Sequence, residues 1–203
     1  MNLKKILLPP VFEKYNLMKY YHILFNKKKT IHLFKYERNF YWRVAFINKA
    51  VAKFKNCNYL ELGVANNRVF NSIPLKMNKK FGVDPSEGGN FRMTSDEFFE
   101  KHQNLKFDVI FIDGLHHYDQ CQKDCINSMK LLNPGGIIFL HDLLPRCEIE
   151  QVIPQSYSTW SGDVWKVAVE LSHSTNVDFK ICNIDHGLGI LKLKNDFEYK
   201  KLD

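Results

Sequence analysis

The chain has 203 residues, 45% of them hydrophobic, and a formal net charge of +7, which suffices for one domain with a full core and is short for two. Its five cysteines, Cys57, Cys121, Cys125, Cys147 and Cys182, are an odd number with no C-x-x-C pair, which argues against a disulfide framework and for reduced thiols in a cytoplasmic protein. No apolar run approaches the roughly 20 residues that span a bilayer, and Ile6-Leu7-Leu8, cut off by Pro9-Pro10, is too short for a signal-peptide core.

The charge is unevenly spread. Residues 1–55 hold 13 Lys and Arg against 2 acids, a net of +11, and the other 148 residues hold 16 against 20, a net of −4. This divides the chain into a basic N-terminal extension, 1–55, and a body, 56–203. The basic face reads as a solvated lysine-rich surface, as a site for an anionic acceptor such as a phosphorylated or uronic sugar, or as a peripheral contact with an anionic membrane. No nucleic-acid fold signature accompanies it, so no nucleic-acid partner is expected. Residues 1–36 are expected to form short helices wrapped on the body, with Lys27-Lys28-Lys29 exposed. The extension is also a candidate homodimer contact.

From Glu37 to Phe54 the pattern turns helical. Phe40, Val44, Ile47, Val51 and Phe54 make one stripe at spacings of 4, 3, 4 and 3, with Arg38, Arg43, Lys49 and Lys53 off it. A short apolar run follows, Tyr59 to Leu62, which meets Gly63 and a polar turn, Val64-Ala65-Asn66-Asn67-Arg68. Strand, tight turn and helix in that order open a nucleotide-binding α/β unit, in which free backbone N–H groups and the helix dipole converge on one spot. Gly63 is expected to leave that spot uncovered for a ligand. Ala65 stands where a dinucleotide fingerprint has its second glycine, and Asn67 lies two residues beyond it. The helix after the turn is expected to be short, broken or shifted, because Pro74 interrupts it.

The second strand, Lys80 to Val83, ends in Asp84, 21 residues beyond Gly63. An acid at about that distance accepts the hydroxyl protons of a ribose. Glu87-Gly88-Gly89-Asn90 reads as a loop, Phe91-Arg92-Met93 as a brief third strand, and Thr94 or Ser95 as the cap of a helix with acids in its first turn. Phe107 to Ile112 is the clearest strand, apolar enough for a central parallel position. It ends in Asp113-Gly114-Leu115-His116-His117. A helix from Asp119 to Leu132 follows, then a fifth strand, Ile137 to Leu140, ending in His141-Asp142. Cys121 and Cys125 share a helix face with His117; plain packing is the stronger reading over a metal site. The long connection 143–162 carries Trp160, which is read as core or as a platform for a sugar ring. Asp163 is expected to cap a helix to about Leu171, with Trp165, Ala168 and Leu171 inward. Val177–Cys182 and Leu188–Leu193 are two closing strands. The expected fold is an α/β, Rossmann-like, doubly wound sheet of seven strands, mostly parallel with one antiparallel late strand, and helices on both faces.

The segments "YLELGVANNR", "FGVDPSEGG", "RMTSDEFF", "FDVIFIDGLHHYDQ", "LLNPGGIIFLHDLLP" and "SGDVWKV" resemble, in series, a class I S-adenosylmethionine-dependent methyltransferase. They are similar to bacterial methyltransferases of surface-glycan and sugar-modification gene clusters. The resemblance covers most of residues 58–170. It implies that Glu61 and Gly63, with the turn residues Ala65, Asn66 and Asn67, lie by the methionine part of the cofactor, and that Asp84 takes the ribose. It places Thr94, Ser95 and Asp96 near the adenine, and Asp113 and Gly114 beside the sulfonium. The implied reaction moves a methyl group to a small polar acceptor, a hydroxyl of a sugar or nucleotide-sugar. Such a hydroxyl must lose its proton, and the candidates at the ends of the fourth and fifth strands are Asp113, His116, His117 and His141. The resemblance also leaves room for a divalent metal ion on Asp113 and Asp142, with His141 standing where a second acid often does. The alternatives are a nicotinamide-dependent (NAD) oxidoreductase on the same sheet, or a catalytically inactive cofactor-binding scaffold.

Overall fold

The computed structural model describes residues 40–156 and 158–194, with side chains from Arg43 onward. The expectations for residues 1–36, including the exposed Lys27–Lys29 run, and the contribution of Phe40 to the helical stripe lie outside this range. In chain order the elements are α1 (Phe40–Val51), β1 (Tyr59–Leu62), α2 (Arg68–Ser72), a 3-10 turn (Met77–Lys79), β2 (Lys80–Val83), α3 (Ser95–Lys101), β3 (Phe107–Ile112), α4 (Tyr118–Leu131), β4 (Leu132–Leu140), α5 (Glu148–Gln151), α6 (Trp165–His173), β5 (Val177–Cys182) and β6 (Leu188–Leu193). The strands form one sheet in the order β2-β1-β3-β4-β6-β5. β1 to β4 pair in parallel, and β6 is antiparallel to both β4 and β5.

The alternation of side chains along a strand explains the layers. Leu60, Leu62, Ile110, Ile112, Ile138 and Leu140 point to one face, where Phe98 of α3, Cys121, Cys125 and Met129 of α4, and Val167 and Leu171 of α6 cover them. Tyr59, Val109, Phe111, Ile137 and Phe139 point to the other face, under Val44, Ile47, Ala50 and Val51 of α1 and Phe70 of α2. The predicted stripe on α1 is therefore core over its described part. Both faces of β3 are covered, which is why its sequence is apolar throughout.

Register then sets up the functional edge. Leu62 lies opposite Val83 and Ile112, and Ile112 opposite Leu140. The next residues, Gly63, Asp84, Asp113 and His141, therefore emerge in one row at the carboxyl end of the sheet. The ladder runs one step further there: Gly63 N–H donates to Val83 O (2.9 Å), Asp113 N–H to Leu62 O (2.8 Å) and His141 N–H to Ile112 O (3.0 Å). β6 begins at this same edge, because it is antiparallel and pairs Gly189 with Leu140. The turn before it, Asp185-His186-Gly187, is thereby carried to the row.

Two expectations are corrected. Six strands, not seven, make the sheet among the described residues, because Phe91 forms only an isolated bridge to Val83. The side chain of Asn90 takes the edge of β2, accepting from Gly82 N–H (2.8 Å) and donating to Lys80 O (2.9 Å), so no main-chain ladder forms there. Asp163 does not cap α6, whose first residue follows Val164. It accepts instead from Tyr118 N–H at 2.6 Å, at the start of α4. The helix after the first turn is short, ending at Ser72 ahead of Pro74.

Candidate active site

A cavity of about 730 Å³ opens at the carboxyl ends of β1, β2 and β3. Such a volume suits a cofactor-sized ligand. Glu61, Gly63, Ala65, Asn66, Asp84, Thr94, Ser95, Asp96, Asp113, Gly114 and His116 all line it. Asn67, His117, His141 and Asp142, also expected at the site, are not among its lining residues.

Gly63 has a steric reason within the protein itself. Its φ is +82°, and a Cβ there would sit 2.1 Å from Asp113 O and 2.5 Å from the Gly114 Cα. The glycine admits the neighbouring strand end, and it also lines the cavity. The turn that follows has left-handed backbone at Ala65 (φ 48°) and Asn67 (φ 63°). Asn67 Oδ1 accepts from Gly89 N–H at 2.8 Å, which ties this turn to the loop after β2. Asn67 is thus a brace between two loops.

Asp84 also does more than was expected. Its Oδ2 accepts from Ala65 N–H (2.9 Å), and its Oδ1 from Ser86 N–H (2.8 Å), the Ser86 hydroxyl (2.9 Å) and Glu87 N–H (3.0 Å). Burial would raise its pKa, but these donors outweigh that and hold it below the usual carboxylate value. At the far end, Thr94 caps α3 in a reciprocal capping box with Glu97. Gln120 Nε2 bridges Ser95 Oγ (3.1 Å), Asp96 Oδ1 (3.2 Å) and Asp124 Oδ1 (3.0 Å). Glu61 is buried and accepts from the Tyr59 hydroxyl at 2.6 Å. Burial pushes its pKa up to about 8 against that hydrogen bond.

Beside the cavity lies a compact charged cluster. Asp113 Oδ2 accepts from Arg43 Nη1 at 2.9 Å, and Arg43 Nε also pairs with Asp185. His141 Nδ1 is 3.2 Å from Asp113 Oδ1 and 3.1 Å from Asp142 Oδ2. His116 Nε2 is 3.6 Å from Asp113 Oδ1 and 3.2 Å from Asp142 Oδ2. Burial alone would raise Asp113, yet His141, His116 and Arg43 pull it well below the carboxylate range. Burial would lower both histidines, but the carboxylates reverse this, lifting His116 to about 9 and His141 well above its usual value. Asp142 reaches the cluster from a left-handed backbone, φ 62°.

The loop between β4 and α6 folds over this cluster. Glu150 is fully buried and accepts from Arg146 Nε (3.0 Å) and Thr159 Oγ1 (2.9 Å). Trp160 O accepts from His116 Nδ1 at 2.8 Å, and Trp160 Nε1 donates to Val152 O at 2.7 Å. The Trp160 ring lies 5.4 Å from His116 and 5.8 Å, edge-on, from His117. It is a support for the histidine segment. Cys121 and Cys125 are buried in the core without disulfides, so packing is their role.

Sequence reasoning missed Arg43, Gln120, Asp124, Asp185 and His186. Arg43 was noted only as lying off an apolar stripe, and its partners are 70 and 142 residues away. Asp185-His186 lies in the connection between the two closing strands. No local pattern marks these residues, because their proximity is made by the sheet.

Residues 75–143 match the family model described as "Methyltransferase domain". That stretch runs from before β2 to just beyond β4 and contains Asp84, Asp113, His116, His141 and Asp142. No curated protein sequence matches the chain. Among solved structures, an O-methyltransferase from Bacillus cereus in complex with SAH is 14% identical, with a TM-score of 0.57, covering 90% of this chain and 99% of that one. A Staphylococcus aureus structure put forward as a caffeoyl-CoA O-methyltransferase is 15% identical, with a TM-score of 0.58, covering 90% and 100%. An SAH-bound methyltransferase from Podospora anserina is 14% identical, with a TM-score of 0.54, covering 93% and 89%. These structures share the fold. The family match spans β2 to β4, which carry Asp84, Asp113 and His141 at their carboxyl ends. Among the described residues no helix is long and apolar enough to cross a membrane.

Proposed function

We propose that this chain transfers a methyl group from S-adenosylmethionine to a hydroxyl of a small polar acceptor, a sugar or nucleotide-sugar in glycan biosynthesis. The observation that carries the reading is the junction of two features at one sheet edge. A cofactor-sized cavity lined by Glu61, Asp84, Ser95 and Asp113 meets a buried cluster of carboxylates and histidines at the ends of β3 and β4. The cavity residues fit the cofactor chemically: Asp84 offers an acceptor edge for a ribose, the Thr94–Asp96 segment lies along the same wall, and Asp113 brings negative charge to the cluster side, suited to a sulfonium. When bound, S-adenosylmethionine supplies an electrophilic methyl group. The chain's own task is to align an acceptor and accept its proton. We assign the proton to His116 in its neutral form, the fraction of which grows as pH rises toward about 9. Of the three candidate histidines, His116 lines the cavity, and His117 and His141 do not. The motif series supports the sugar class of acceptor. In this reading residues 1–55 are a basic extension docked on a methyltransferase body, 56–203, suited to an anionic acceptor, to a peripheral membrane contact or to a dimer.

Calorimetric titration with S-adenosylhomocysteine, with NAD as the control, tests the cofactor. Binding of the former alone at micromolar strength, roughly −8 kcal/mol, is expected. Mass spectrometry after incubation with S-adenosylmethionine and a panel of nucleotide-sugars then tests the acceptor. Affinity for NAD in place of S-adenosylhomocysteine would overturn the reading.

A further inference from the structure

The charged cluster already contains a cation of its own. The resemblance leaves room for a divalent ion on Asp113 and Asp142, and Asp113, His141 and Asp142 do present ligand atoms that all lie within 4.8 Å of one another. Arg43 changes that site. Its Nη1 lies 2.9 Å from Asp113 Oδ2 and 3.4 Å from His141 Nδ1, so the guanidinium meets two of the three groups. An ion bonded to His141 Nδ1 at about 2.1 Å would lie no more than about 5.5 Å from that guanidinium nitrogen. The Debye length is about 8 Å at physiological salt, and His141 is buried, so the two positive charges would repel with little screening. The residues do not fit a divalent ion while the guanidinium stands among them.

The fold builds this position from two sides. α1 docks through Val44 and Ile47, both buried in the core, and Arg43, the residue before them, keeps only 15% of its side chain in solvent. Opposite, Asp185 pairs with Arg43 Nε from a turn whose backbone is left-handed at Asp185 (φ 44°) and His186 (φ 63°). Residues other than glycine take that region at some strain, which a fold sustains where the position of a side chain matters. Asp185 is outside the group of three that could share an ion, and its closest partner is the guanidinium. A planar fork of N–H donors matched to carboxylates is what arginine supplies and lysine does not. Arg43 also lines the cavity, with Asp113 and His116.

We propose that the Arg43 guanidinium is the resident cation of the Asp113–His141–Asp142 cluster and keeps divalent ions out of it. Arg43 is then a positioning residue, which holds the Asp113 carboxylate at the cavity wall. A guanidinium neutralises and orients carboxylates, but it has no vacant coordination position for a hydroxyl and so cannot acidify one as a bound ion does. Deprotonation of the acceptor is left to His116. That consequence rests on the methyltransferase reading, whereas the exclusion of ions rests on the placement of Arg43.

The test uses the full chain, stripped of metal by a chelator and titrated with Mn2+, whose free form is counted by its electron paramagnetic resonance signal. The wild type is expected to leave that signal unchanged. Arg43→Gln, which removes the charge and keeps a polar donor, is expected to take up one Mn2+ per chain at least about 10-fold more tightly than the wild type, and to lose it again when combined with Asp142→Asn. Arg43→Lys, which keeps the charge, is expected to behave like the wild type. A merely structural role for Arg43 predicts neither the gain nor the rescue. Uptake of one Mn2+ per chain by the wild type that Asp142→Asn abolishes, an Arg43→Gln protein that binds Mn2+ no better than the wild type, or an Arg43→Lys protein that binds it as tightly as Arg43→Gln would each overturn the proposal. Should Arg43→Gln fail to fold, the wild-type titration, with Asp142→Asn as its control, decides by itself. Titration of the wild type with S-adenosylhomocysteine separates the two ideas: cofactor binding together with Mn2+ uptake removes the resident cation and leaves the methyltransferase reading standing, and a silent Mn2+ titration without cofactor binding does the reverse.

Discussion

Glu61 and Gly63 sit two residues apart and obey different physics. Glu61 is almost wholly enclosed, and burial lifts its pKa to about 8, above the 4.5 of a free side chain. The folded state therefore holds a proton that the unfolded state gives up between those values, so the stability due to Glu61 is full below about pH 4.5 and falls as pH rises toward 8. Glu61→Gln lacks this titration. The melting temperature of the variant minus that of the wild type is expected to grow across that window, as read by thermal melts at a series of pH values; a flat difference would show that the carboxyl is ionised in the fold. At Gly63 the argument is steric. A methyl group 2.1 Å from Asp113 O, on a backbone with φ +82°, must displace the start of the β3 loop. Gly63→Ala is expected to cost at least about 2 kcal/mol in urea unfolding and to weaken S-adenosylhomocysteine binding by ten-fold or more. Intact affinity would mean that the Asp113–Gly114 segment does not shape the cofactor site.

Among the elements, the loop from β4 to α6 is gathered around Glu150, which accepts from Arg146 and Thr159. Glu150 is fully buried, and Arg146 keeps about a quarter of its side chain in solvent (28%). Breaking a pair with both partners buried costs about 3–5 kcal/mol; for this half-open pair Arg146→Ala is expected to cost about 2 kcal/mol, mostly local to the loop. Limited proteolysis within residues 143–162 should then accelerate. Methyl transfer should fall with it, because Trp160 O no longer orients His116. Unchanged cleavage and unchanged turnover would show that the loop is ordered by something other than Glu150. The α1 helix works by comparable logic at longer range. Its apolar stripe docks on the sheet, and docking delivers Arg43, from off the stripe, to Asp113 and Asp185.

At the scale of the molecule, the sheet separates two apolar layers, and β3 feeds both. Ile110 belongs to the layer under α3, α4 and α6, and Phe111 to the layer under α1 and α2. Both are fully buried. Ile110→Ala and Phe111→Ala are expected to destabilise the protein by similar amounts, about 3–4 kcal/mol, with a single urea transition in each. A much smaller loss for Phe111→Ala would mean that the α1–α2 layer is not an integral part of the core.

The strands were legible in the sequence because buried parallel strands are near-continuous apolar runs, and Phe107–Ile112 and Ile137–Leu140 leave little else to be. The row of functional positions was partly legible for the same reason: a residue that ends a parallel strand lies at the carboxyl edge wherever the strand sits in the sheet. Asp84, Asp113 and His141 could thus be placed by chain logic alone. Phe91-Arg92-Met93 misled, since a side chain, Asn90, rather than the main chain fills the edge of β2. What only the tertiary structure decided is which distant residues meet that row. Arg43 reaches it from a helix packed on the opposite face, and Asp185 from the turn before an antiparallel strand. Sequence periodicity reports the environment of a residue but carries no term for its partner across 70 or 142 positions. Strand order and register supply that term, and with it the cluster on which the proposed chemistry depends.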